Sequence, residues 1–248
     1  MASSPSLREI RHRTYHIIKD NFFSFLSLTL ILAIFFIGIF TLGLNIFLSA
    51  KGVLQISLAV CAFSLIRFIT SPVLVGLYEW LDRISKGECT PMQNVFSRFS
   101  DLENTFESQK MLFLLFPLWF ATSIPFLAVL LLIITGLSGD AYRTFFYIVT
   151  SFLISLKLFS CFFPLPHILI SARHIPFHKA VILSYTSMRS CFGAFLRLMC
   201  EYLILIAVSI IFMGIPFILT LPYISCSAVI FCDTVFEENK IYKYNLYY

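Results

Sequence analysis

The amino-acid sequence predicts an all-α, polytopic membrane protein with six transmembrane helices and short amphipathic cytoplasmic helices. Three observations carry that prediction. Of the 248 residues, 59% are hydrophobic and 12% are charged, whereas a soluble domain has roughly 45–50% apolar and about 25% charged residues. No compact water-soluble fold hides that much apolar surface, 29 Phe included, so lipid must cover much of it. The apolar residues gather in six runs of at least 22 positions, and a helix needs about 20 to cross a bilayer. Period-two alternation is absent from these runs, which argues against a β-barrel. Finally, the basic residues are sorted to one side of the runs, as cytoplasmic loops require.

Residues 1–21 form the first amphipathic segment. In "SLREIRHRTYHIIKDN", Ser6 and Glu9 stand at capping-box spacing. Leu7, Ile10, Thr14, Ile17 and Ile18 then recur at helical spacing, with Arg8, Arg11 and Arg13 around them. The pattern suits a helix lying in the membrane interface. The following apolar run is too long for a signal peptide, its flank holds Glu9 and Asp20, and no A-x-A site follows.

The first span covers 22–50 and the second 53–80, the latter as one helix or a broken one, with Pro72 in "SPVLVG". A second amphipathic segment, "MQNVFSRFSDLENTF", places Val95, Phe99, Leu102 and Phe106 on one face. The third span covers 111–134, contains Pro125, and is followed by the fourth at 145–171 with Pro166 in "PLPHILIS". A third amphipathic segment, "FHKAVILSYTSMRS", groups Phe177, Val181, Ser184, Tyr185 and Met188. The fifth span covers 192–213 and the sixth 215–236, with Pro216, Pro222 and Tyr223; residues 239–248 form a short tail. Proline is tolerated inside such helices when neighbours satisfy the freed carbonyl. Here Pro72, Pro125, Pro166, Pro216 and Pro222 are candidate kinks, and Tyr223 a packing ring facing the interface.

Fourteen of the eighteen Lys and Arg residues fall before the first span, between the second and third, between or beside the fourth and fifth, or after the sixth. Only Lys51 and Arg143 lie on the opposite side, and Arg67 and Lys157 lie within spans. Both termini are therefore expected in the cytoplasm, with Cys89 and Cys191 open to thiol reagents from that side. The alternation of amphipathic segment and span pair reads as three helical hairpins, or as chance similarity between apolar sequences.

From "HKAVILSYTSMRS" through "LPYISCSAVIFCDTVFEE", the chain resembles the bacterial membrane family known as domain of unknown function 975. "SPVLVGLYEWLDRISKGE" followed by "FSRFS" is similar to that family's second helix and basic loop. Two departures are "FPLPHILISARH", where members tend to have Pro-Gly and a Tyr-rich run, and Cys232, where they often have Tyr. The resemblance implies a polytopic protein of the bacterial cytoplasmic membrane. It implies no catalytic residue.

Ionisable groups at mid-depth are costly and call for an explanation. Arg67 and Lys157 lie 16 and 14 residues from Lys51 and Arg143, about 21–24 Å along their helices at 1.5 Å per residue. Glu201 lies near the middle of the fifth span, four residues after Arg197. One reading makes Arg67, Lys157 and Glu201 an inward cluster for an anionic headgroup or small anion. The other pairs Arg67 with Glu201 and lets Lys157 snorkel. Asp233 and Glu237, four apart on one face, could serve acid–base work or hold a cation, but beside "EENK" they read as solvated acids at a helix end, and His167 reads as a packed ring.

The seven Cys show no C-x-x-C and no zinc spacing, so they read as structural thiols, without metal or cofactor. There is no H-E-x-x-H, G-x-S-x-G or Walker loop. Neither an enzyme nor any catalytic residue is expected. No clustered basic face calls for nucleic acid. The sequence points to a non-enzymatic protein whose partners are the lipid bilayer and other membrane proteins or copies of itself. The alternative is a small transporter or permease-like component for an anionic solute or lipid.

Overall fold

The computed structural model describes residues 6–49, 53–134, 140–171, 175–212 and 216–238. Among them every regular element is helical, as the composition requires.

Helix α1 (Leu7–Asp20) follows Ser6, whose carbonyl accepts the Glu9 and Ile10 amides; its hydroxyl makes no capping bond. The apolar stripe of α1 buries Ile10 and Thr14. At Asn21 the chain turns by 85° into α2 (Phe22–Ser49). The Asn21 side-chain amide donates to the Ile17 carbonyl (3.1 Å), satisfying a carbonyl at the end of α1.

Helix α3 (Val53–Ser85) ends in a Schellman motif, with Glu88 N–H on the Arg83 carbonyl and Gly87 N–H on that of Ile84. Gly87 supplies the positive φ of 82° that this turn demands. The chain then returns as a 3₁₀ segment, Met92–Phe99, laid across α3 at Gly76. A Cβ at Gly76 would fall on the Val95 carbonyl oxygen, so only glycine permits this approach. The Trp80 indole N–H donates to the Thr90 carbonyl (3.2 Å), and Phe25 of α2 meets the Trp80 ring edge-on at 5.1 Å.

Helix α4 (Leu102–Ile134) changes direction by 45° at Pro125. Helices α5 (Ala141–Phe162) and α6 (Leu165–Ser171) are separated by Phe163 and Pro164, the latter lacking an amide to continue the ladder. The Ser184 hydroxyl donates to the Cys161 carbonyl at this break (2.5 Å). Helix α7 (Phe177–Ile211) is continuous over 35 residues. The third amphipathic segment and the fifth span are thus one helix, not two. Helix α8 (Phe217–Glu238) opens on the Pro216 carbonyl, which accepts the amides of Leu219 and Thr220. Pro166 likewise lies in the first turn of α6, where a missing amide costs nothing. Pro72 and Pro222 lie inside α3 and α8.

The chain divides into two compact units. One comprises residues 6–109 and 198–231. Within it the α7–α8 hairpin is zipped by Tyr202–Ser227 (2.7 Å) and Ser209–Thr220 (3.1 Å) hydroxyl pairs. The other comprises, among the described residues, 110–197 and 232–238. Its core gathers Leu115, Leu165, Ile168, Ala180, Cys232 and Phe236.

Several helices have a packed stretch and a stretch with exposed large apolar side chains. In α2, Phe25 and Leu28 are buried while Leu30, Ile34, Ile37 and Leu42 are exposed. In α7, Phe195 and Leu198 are buried while Leu203, Ile204, Ile210 and Ile211 are exposed. Helix α8 mirrors this, exposed at Leu219 and Leu221 and buried from Cys226 to Phe236. Helix α4 from Phe113 onward and α5 from Tyr142 to Leu158 repeat the exposed pattern.

Among the described residues three helices are by themselves long and apolar enough to span a membrane: Tyr142–Ser171, Phe177–Ile211 and Leu219–Glu237. Counting the bent pairs Leu7–Asp20 with Phe22–Phe35 and Leu102–Pro125 with Leu127–Ile134 raises the number to five. That is fewer than the six expected. The expected second span is continuous as α3, but its C-terminal part is packed and charged, with Val73, Trp80 and Asp82 buried. Residues 50, 213 and 215, which the sequence assigns to span ends, lie outside the described residues.

Candidate functional site

The polar side chains that sequence reasoning placed at mid-depth meet different neighbours from those expected. Glu201 is brought together with Arg11 of α1 and Tyr223 of α8. Arg11 donates from Nε (3.0 Å) and Nη2 (2.8 Å) to Glu201 Oε2, and the Tyr223 hydroxyl donates to Oε1 (2.7 Å). Both carboxylate oxygens are used. Side-chain exposure is 57% for Arg11 and 19% for Glu201, so the pair sits at the edge of the packed region. Hydrogen bonding to Glu201, and then its charge, hold the Arg11 guanidinium above its ordinary pKa. Arg197, four residues before Glu201 on the same helix, is exposed and is not the partner of these bonds.

The other two members of the expected cluster are placed differently. Lys157 is exposed on α5, with its ammonium 3.8 Å from the centroid of the Phe192 ring, a cation–π contact. Arg67 lies on α3, and its side chain is outside those described. Tyr223, expected as a packing ring, supplies a hydrogen bond as well.

Two further charged groupings were not legible in the sequence. Arg98, buried in the 3₁₀ segment, is bound by Glu79 of α3 through two nitrogens and by Glu107 of α4 at 2.9 Å. Hydrogen bonding to Glu79 is the main reason its guanidinium is held above the ordinary value. This grouping fastens the Val95 backbone onto Gly76. In the other unit, His167 Nε2 and Asp233 Oδ1 lie 3.0 Å apart, both buried, and Phe236 stacks on the imidazole at 5.3 Å. Asp233 is therefore no solvated helix-end acid. A buried ring was expected at His167; its carboxylate partner was not.

Chemically, these arrangements fasten helices. In the Arg11–Glu201–Tyr223 group the carboxylate is saturated by donors, which suits a structural lock better than a general base. The His167–Asp233 pair has the contact that orients a catalytic imidazole, and both side chains are buried. What the lock does leave outward is the polar face of α1, where Arg8, His12, Tyr15, His16 and Lys19 are all exposed. Comparison with known proteins finds no matching family model, no similar curated protein and no similar solved structure.

Proposed function

We propose that this chain is a multi-pass protein of the bacterial cytoplasmic membrane, crossing it six times with both termini in the cytoplasm. It acts through contacts with lipid or with other membrane proteins, its own copies included, and carries out no catalysis. One observation supports this above the rest. The exposed large apolar residues lie in continuous stretches of α2, α4, α5 and α7, while Arg11, Arg98, Asp233 and their partners are paired where the helices pack. A bilayer takes the first set, and the second serves to hold helices together.

The test is cross-linking in native membranes with mass-spectrometric identification. Adducts to lipid or to a reproducible membrane partner are expected, with α1 among the sites. Solute flux in proteoliposomes that disappears in Arg67→Leu or Lys157→Leu would instead assign a transporter.

A further inference from the structure

We propose that the outward face of α1 binds the phosphate headgroups of anionic phospholipids in the leaflet from which α2 enters the bilayer. This rests on the membrane reading above and names the lipid class.

The apolar stripe of α1 is already spent within the protein, since Ile10 and Thr14 are buried. The helix therefore does not lie on the membrane by its greasy side. Its exposed side carries Arg8, His12, Tyr15 and Lys19 at steps of four, three and four residues, with His16 beside them. Residues at such steps share one helical face. Glu9 and Asp20, the two acids of the helix, lie about 90–110° from the centre of that face at about 100° per residue, on the flank beyond His16.

Geometry sets the depth of this face. The 85° turn at Asn21 lays α1 in the membrane plane if α2 crosses along the normal. Apolar exposure begins at once beyond the turn, with Phe23 82% exposed. Tyr15, 63% exposed on α1, then sits at headgroup level, where amphipathic rings are favoured. The His12 and His16 Nε2 atoms lie 3.3 Å apart, so two ring nitrogens converge on the same spot. The Arg11–Glu201 lock keeps α1 in this attitude, so the basic face is presented without first being ordered. A row of cations with polar rings between them is complementary to phosphodiesters and repels no zwitterionic lipid, so the selectivity is for negative charge.

The experiment uses the full chain purified in micelles containing phosphatidylcholine and phosphatidylglycerol in equal amounts, with retained lipid read by native mass spectrometry. Phosphatidylglycerol is expected to be enriched. Arg8→Gln and Lys19→Gln should each lower the enrichment about fivefold, the factor that corresponds to about 1 kcal/mol per basic residue near an anionic leaflet. Arg143→Gln, on the opposite side, should leave it unchanged. Added salt should lower the enrichment of the unmodified chain, a readout that needs no variant to fold. Equal retention of the two lipids by the unmodified chain overturns the proposal, as does a preference insensitive to both substitutions and salt. Flotation with vesicles separates the two claims. A chain that floats but shows no lipid preference retains the membrane reading and loses this one; a chain that floats with neither vesicle type loses both.

Discussion

Glu201 and Arg98 are the side chains on which the packing of the first unit turns, and they should respond differently to substitution. Glu201 binds Arg11 where water still reaches the guanidinium. A half-exposed pair of this kind contributes about 1 kcal/mol. Glu201→Gln should therefore leave the helical content unchanged but loosen α1. Limited trypsin digestion should cut faster at Arg13 and Lys19 in both Glu201→Gln and Arg11→Gln, and at the normal rate in Arg197→Gln. Arg98 is a harsher case because it is buried between Glu79 and Glu107. Arg98→Leu strands the largely buried Glu79 carboxylate without its cation, at a cost of about 3 kcal/mol or more. A marked fall of the melting temperature in detergent is expected, partly restored by the further change Glu79→Leu. Neither partnership could be read from spacing. Arg11 and Glu201 are 190 residues apart in sequence, and i,i+4 logic offers Arg197 in its place. Asp233 was misread for a related reason: its neighbours in sequence are the acids of a helix end, whereas its neighbour in space is His167.

At the level of elements, periodicity located the helices better than it located their boundaries. Leu7, Ile10, Thr14 and Ile17 recur as a helix must, and α1 forms over them. The third amphipathic segment and the fifth span differ in apolar period, which reads as two elements. Yet no proline stands between Phe177 and Ile211, so the backbone runs on as α7. The second amphipathic segment shows the opposite error. Its apolar face spans the junction between the 3₁₀ segment and α4, which part at Ser100 and Asp101. The cause is the close approach at Gly76, which α3 makes possible and which no local pattern announces. Gly76→Ala should push the 3₁₀ segment away from α3 and break the Trp80 bond to Thr90. With Trp119→Phe as background, Trp80 emission is expected to shift to the red; emission like that of the parent would contradict the close contact at Gly76.

Over the whole molecule, composition predicts apolar surface left outside the packing. A chain with 59% hydrophobic residues cannot bury them all, and the structure leaves long apolar stretches of α2, α4, α5 and α7 on the outside. Orientation needs a chemical probe. Cys89 is exposed and reports it, whereas Cys191 is buried and cannot serve, contrary to expectation from sequence. Cys191 stands one residue before the expected fifth span, but it lies in mid-α7 on the packed side. The most direct test of the account is labelling by a lipid-soluble carbene reagent in native membranes, mapped by mass spectrometry. Adducts are predicted along 30–44, 113–134, 142–158 and 203–212, and not at Ile10, Trp80, Val95 or Phe231. Adducts spread evenly over both sets, or confined to the second, would contradict the claim that lipid covers the exposed apolar stretches.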